Sequence, residues 1–240
     1  MLPKFDLNKI RYSVDIDTYH RAIDLYKNQK VSQFSEKPES FSAVVSGTSD
    51  YQVSVSANNF DVGRCDCYLG QHEALCKHMI AVAIQAILKG KPFPDKFTKI
   101  ITSPVCSAKI GSLSTSQSKK LKTEISQAFR YIKSYNGPSR IWFQYQDSLI
   151  EGSRRISEII SHQPVCLDVA KIIVSLMIRL DKKLMVGGVD DSDGTVGGLI
   201  TDLCEVAREF ARIDPVCQKA FKKLEGIETG FGWEKSLQKQ

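Results

Sequence analysis

The pattern Cys65-x-Cys67, eight residues, then Cys76-x-His78 constrains this chain more than any other feature. In extended backbone, residues i and i+2 point to the same side, so Cys65 and Cys67 can aim both sulfurs at one point. Cys76 and His78 must do the same. In a regular helix they would lie about 200° apart, from 3.6 residues per turn. The spacing therefore predicts that Cys76 precedes a helix and that His78 sits in its first turn. The intervening stretch, Tyr68 to Leu75, includes Gly70 and can fold the second pair back onto the first. Three thiolates and one imidazole make a closed tetrahedral shell for one structural zinc ion, with no position open to water or substrate. The cluster carries a formal charge of about −1. Arg64, Lys77 and the helix N-terminus lie near enough in sequence to offset it. His72 is a rival ligand, but it would break the i, i+2 pairing.

The segments around the cluster have readable periods. Phe41, Ala43 and Val45 alternate with Ser42, Val44 and Ser46. Gly47-Thr48-Ser49-Asp50 supplies a turn, and Tyr51, Val53 and Val55 alternate in return, which predicts a β-hairpin. From Lys77 to Lys89 the chain is apolar nearly all round, as expected of a helix buried on most faces, and Gly90 and Pro92 end it. Upstream, Thr18 reads as the N-cap of a helix over Tyr19 to Lys30, with Ala22, Ile23 and Tyr26 inward. Glu36 to Ser40, containing Pro38, reads as a loop. A hairpin and one helix bury little on their own, so metal and fold are expected to be coupled.

Together these residues resemble a SWIM zinc finger. The hairpin ending in Tyr51-Gln52-Val53, then Cys65-x-Cys67, then Cys76-Lys77-His78 carry the likeness, and Ala43, Val45 and Gly47 fit the family's hairpin. The likeness covers residues 40–88, and a helix like the one ending near Val31 often precedes such modules. The resemblance implies a DNA-binding or protein-binding module. SWIM domains accompany helicase-like chromatin-remodelling ATPases, Mutator-type transposases, and some kinases and ubiquitin-ligase factors.

Beyond the cluster the chain is ordinary in composition: 42% hydrophobic and 25% charged residues. That argues for a folded protein rather than a disordered one. No apolar run is long enough to span a bilayer, and Met1 to Lys9 has no leader-like apolar stretch, so the expected location is cytoplasmic. Seven cysteines, four of them scattered (Cys106, Cys166, Cys204 and Cys217), fit a reducing compartment, where a tight cluster points to metal. Cys166 and Cys204 fall on apolar helical faces and read as core. Residues 91–118 are punctuated by Pro92, Pro94 and Pro104 and rich in serine, with a short strand expected at Ile100-Ile101. From Lys119 onward the periods are all helical, five segments with short connections. The fold class expected is α+β: an N-terminal zinc-bound ββα module with a preceding helix, plus a C-terminal all-α helical bundle. The domains expected are 1–90 for the finger, 91–118 for a basic linker, 119–228 for the bundle and 229–240 for a tail.

The net charge of +6 is concentrated, because residues 89–140 hold 11 basic and 2 acidic side chains. Lys89, Lys91, Lys96, Lys99, Lys109, Lys119, Lys120 and Lys122 make up most of this stretch. It either attracts a polyanion or is a solvated linker. Phosphate contact needs only flexible positive charge and carries no base information. Phe93 and Phe97 are the aromatic residues between Lys89 and Lys122. The candidate nucleic-acid contacts are Arg64, Lys77, Lys119, Lys120 and Lys122. Val189 to Gly194 looks like part of a calcium loop but lacks the acid at both ends, so Asp193 or Thr195 is read as a helix cap, with a shared cation as the alternative. Trp142, Phe143 and Tyr145 are a candidate partner surface. No nucleophile motif, phosphate loop or carboxylate–histidine pair stands out. The expectation is a non-enzymatic protein that binds DNA, docks a partner such as a helicase-like ATPase, or does both. The alternative is a pure protein adaptor. A membrane or a small-molecule substrate is not expected.

Overall fold

The computed structural model describes residues 2–139 and 142–238, without the side chain of Phe143. That side chain, part of the aromatic cluster above, and residues 239–240 of the expected tail lie outside the described residues. The protein has α+β architecture, divided into two compact units, Met1–Ile100 and Ile101–Gln240.

The first unit opens with two short helices, α1 (Leu7–Ser13) and α2 (Ile16–Lys27). Both begin on an aspartate. Asp6 accepts from the Lys9 amide and Asp15 from the Thr18 amide, each at 2.8 Å. Thr18 is therefore inside the helix and buried, and Asp15 is the N-cap. Thr18 and Asp15 are both good capping types. The burial of Thr18 and Tyr19 sets the helix start one turn earlier than the periodicity suggests.

Four strands follow: β1 (Val31–Lys37), β2 (Ser40–Ser46), β3 (Asp50–Ser56) and β4 (Gly63–Cys65). They pair in sequence order as an antiparallel meander. The expected hairpin is β2–β3, with Phe41 opposite Val55 and Ala43 opposite Val53. β1 and β2 narrow the loop read at Glu36 to Ser40 to a turn at Pro38-Glu39. The side chains of β1 are mostly exposed, and Gln33 (φ 49°) sits in a bulge between Ser32 and Ser35, which erases any alternation. After the short α3 (Tyr68–Gln71), α4 (Lys77–Leu88) runs through the centre of the unit. It packs against α2 and the sheet with most of its residues buried. Ile80 and Ile84 of α4 are completely enclosed, as are Ile10, Tyr19, Phe41 and Phe60 in the same core.

Residues 91–99 are tied to this unit through their backbone. Buried Arg11 donates to the Lys96 and Lys99 carbonyls, Tyr19 to that of Phe97, and Tyr26 to that of Lys91. Phe93 is buried and Phe97 is partly covered, so neither of these two rings stands free in solvent.

At the boundary of the two units, no strand forms at Ile100-Ile101. Residues 102–111 of the second unit instead lie along a helix through single hydrogen bonds, with one isolated bridge between Ile110 and Val165. Ser161 accepts from the Val105 amide, and the Lys109 carbonyl accepts from the Val165 amide. The helices are α5 (Thr115–Phe129), α6 (Trp142–Ser161), α7 (Leu167–Val186), α8 (Thr195–Ile213) and α9 (Lys235–Gln238). The short fifth helix expected to carry Val216, Ala220 and Leu224 is 3-10 instead, over Pro215–Leu224. α7 packs against α8 and the 3-10 segment, with Val169, Ile173, Leu176, Met177 and Leu180 buried. Cys166 and Cys204 are core residues there, as their spacing implies.

The acidic loop before α8 is spent on that helix. Gly194, in the left-handed region, holds the N-cap position. Asp191 accepts from the Val196 and Gly197 amides at 2.7 and 2.8 Å, and Asp193 from Thr195. Asp190 accepts from the Trp142 indole. The cap is thus made chiefly by Asp191, whose six-residue reach is set by the loop and is invisible to a local motif. Trp142 and the buried Tyr145 both face this loop.

Candidate metal centre

The cluster is assembled from three local devices. Cys65 ends β4, opposite Val53 of β3, so the sheet fixes it. Cys67, two residues on, is the N-cap of α3, where its sulfur accepts from the Gly70 amide at 3.4 Å. Cys76 is the N-cap of α4 in extended conformation and His78 is in the first turn, as the i, i+2 argument requires. The turn between the cysteine pairs depends on Gly70. A Cβ there would stand 2.2 Å from the Cys65 carbonyl oxygen.

The four donor atoms lie within 4.8 Å of one another, and all four residues are buried. Nδ1 of His78 is 3.7 Å from the Cys65 sulfur and 3.9 Å from that of Cys76. A tetrahedral zinc ion with ordinary Zn–S and Zn–N bonds needs an S···N edge of about 3.6 Å. The donor set, three soft sulfurs and an imidazole, also suits zinc. The other imidazole nitrogen, Nε2, is buried and has no hydrogen-bond partner among the described residues. The ring is held by stacking instead. Tyr51 lies over it at 4.3 Å, and a Cβ on Gly47 would come within 3.3 Å of Nε2.

The thiols show the same demand for a cation. A hydrogen bond from Cys65 pulls the Cys76 pKa well down, and that shared proton together with burial pushes Cys65 up. Three buried thiolates brought this close need a cation to balance their charge. When bound, zinc would cross-link β4, the start of α3 and the start of α4. Four protein donors leave no vacant position, so the site is structural.

Residues 51–87 match the family model of the SWIM zinc finger. This segment is a SWIM zinc finger. No curated protein and no solved structure matches the chain. A SWIM finger is a zinc-binding module, of a kind often involved in protein or DNA interaction, and not a catalytic domain.

The remaining candidate residues are distributed unevenly. His72 is exposed and outside the cluster, with its ring against Tyr68 at 4.5 Å. Arg64 is exposed on β4, opposite Ser54, and Lys77 is half-buried at the start of α4. In the second unit, Lys119 and Lys122 line one groove on α5, together with Arg130. Lys120 points elsewhere and pairs with Glu124 at 3.8 Å. Arg130 was legible as the eleventh residue after Lys119 on one helical face, but it follows the helix end and the charge count alone does not single it out. The SWIM finger also exposes Val62, Tyr68 and Leu69 at 56%, 76% and 44%. Their signal was weak, because a Tyr-Leu pair between ligand pairs reads equally as core.

Among the described residues no helix is long and apolar enough to cross a membrane.

Proposed function

We propose that this chain is a non-enzymatic, zinc-stabilised binding protein that associates with DNA. The observation that carries the reading is the groove on α5, where Lys119 and Lys122 stand side by side in a lining of serine, threonine and glutamine. Such residues suit phosphate oxygens. The concentration of lysine in residues 89–140 adds long-range attraction. Zinc in this reading holds a scaffold and does no chemistry. On the cysteine pattern argued above, the setting is the cytoplasm.

A second reading is favoured by the exposed Tyr68 and Leu69 on the zinc knuckle, with exposed Val62 just before β4. Exposed apolar side chains on a rigid turn are suited to docking a protein partner. Asp61, Asp66 and Glu73 stand near them in sequence, against Arg64, so the knuckle is poorly suited to a phosphate backbone. The helicase-like ATPase implied by the family resemblance would be the partner to try first. DNA binding and docking are compatible, because they use different residues.

The test is fluorescence anisotropy of zinc-loaded protein with labelled single- and double-stranded DNA at two salt concentrations. Binding at micromolar or tighter affinity that weakens with salt supports DNA association. Absence of binding at low salt removes it and leaves the adaptor. A Tyr68→Ala/Leu69→Ala variant is expected to keep DNA affinity and to lose partner binding.

A further inference from the structure

We infer that α5 grips the backbone of double-stranded DNA through Lys119, Lys122 and Arg130, without base readout and without Lys120. The inference rests on the DNA-binding reading above and deepens it.

The three cations line a single groove of about 590 Å³. Their spacing of three and then eight residues keeps them on one face of the helical segment, over a rise of about 16 Å. Each strand of a duplex sets a phosphate about every 3.4 Å of the helix axis, so that length laid along the axis passes about five phosphates of a strand. A single small phosphate ligand would engage only one end of it. Ser118, Ser126 and Gln127 share the lining with the charges and offer neutral donors to phosphate oxygens. Asp168 is the acid in the lining, so the groove keeps two net positive charges.

What the groove lacks decides the form of nucleic acid. Among the described residues no aromatic ring lines it. The aromatic side chain of α5 itself, Phe129, is covered by the Arg179 guanidinium at 4.3 Å, with the Lys183 ammonium at 5.8 Å. A single strand gains its advantage by stacking bases on such rings. Without them, only the regular phosphate ladder of a duplex is recognised, whatever its sequence. Lys120 is turned away, 78% exposed at its side chain and engaged with Glu124.

The experiment is anisotropy of the full zinc-loaded chain with a labelled 20-base-pair duplex of mixed sequence, a second duplex of different sequence, and the matching single strand. Salt is varied from 50 to 200 mM. Three phosphate contacts give a log–log salt slope of about −2.7, or roughly 40-fold weaker binding across that range. Lys119→Ala, Lys122→Ala and Arg130→Ala are each expected to reduce the slope by about one, and Lys120→Ala to leave it unchanged. All four positions are exposed, so circular dichroism should show the fold intact in every variant. No duplex binding at low salt would overturn the DNA reading itself. Duplex binding whose slope survives the triple variant would overturn the groove assignment and leave that reading standing. Tighter binding of the single strand, or a preference between the duplexes, would overturn backbone-only recognition. Equal displacement by polyglutamate would replace DNA with an acidic protein as the ligand.

Discussion

An alanine methyl at Gly70 would collide with backbone rather than with a movable side chain, so the turn carrying Cys65 and Cys67 must open to admit it. Gly70→Ala is expected to weaken zinc at least tenfold in competition with a chromophoric chelator, and to destabilise the first unit by roughly 2–4 kcal/mol. Unchanged affinity would show that the turn is not what brings the pairs together. Gly198 is the contrast. It lies in α8 with open space around its Cα, and Gly198→Ala should stabilise by up to about 1 kcal/mol in a denaturant titration. The four metal ligands were legible because i, i+2 geometry is purely local, and so was the placing of Cys76 before a helix. The contact between Gly70 and the Cys65 carbonyl was not, because it joins residues whose approach only the closed turn creates. Asp15 and Thr18 make the same point: either can cap, and burial of Thr18 decides.

Among elements, β4 and α3 depend on the metal most. β4 is three residues long and α3 four, and neither buries much beyond its cysteines. α4 depends on it least, since its apolar residues are enclosed by α2 and the sheet. The expectation that metal and fold stand or fall together is thereby narrowed, because the finger shares a core with two helices and a fourth strand. Chelation is expected to raise hydrogen exchange in residues 63–76 by several orders of magnitude while α4 stays protected from Ile80 onward. Loss of protection throughout α4 would show that the ion holds the whole unit. The hairpin β2–β3 could be read from its alternation, whereas β1 could not. Its pairing is dictated by the free edge of β2, and a Ser-Gln-Phe-Ser-Glu run carries no period to announce it.

For the molecule as a whole, two separate cores imply that zinc loss should be felt unequally. Protection in α7, whose Leu176, Met177 and Leu180 are buried in the second core, is expected to be unchanged by chelator in the same exchange experiment. A Cys76→Ser variant should hold less than half an equivalent of zinc by metal analysis and behave like the chelated protein. The division into units escaped a reading of linkers, since residues 91–99 are bonded through their carbonyls to Arg11, Tyr19 and Tyr26, contacts that composition does not announce. The kink at Gln33 has a consequence at this scale too. A straight outer strand offers its unpaired amides and carbonyls to any neighbouring chain and seeds sheet growth between molecules. The bulge breaks that template in the middle of β1. The protein should therefore remain dispersed at concentrations where a variant with Gln33 deleted, and its edge straightened, begins to self-associate.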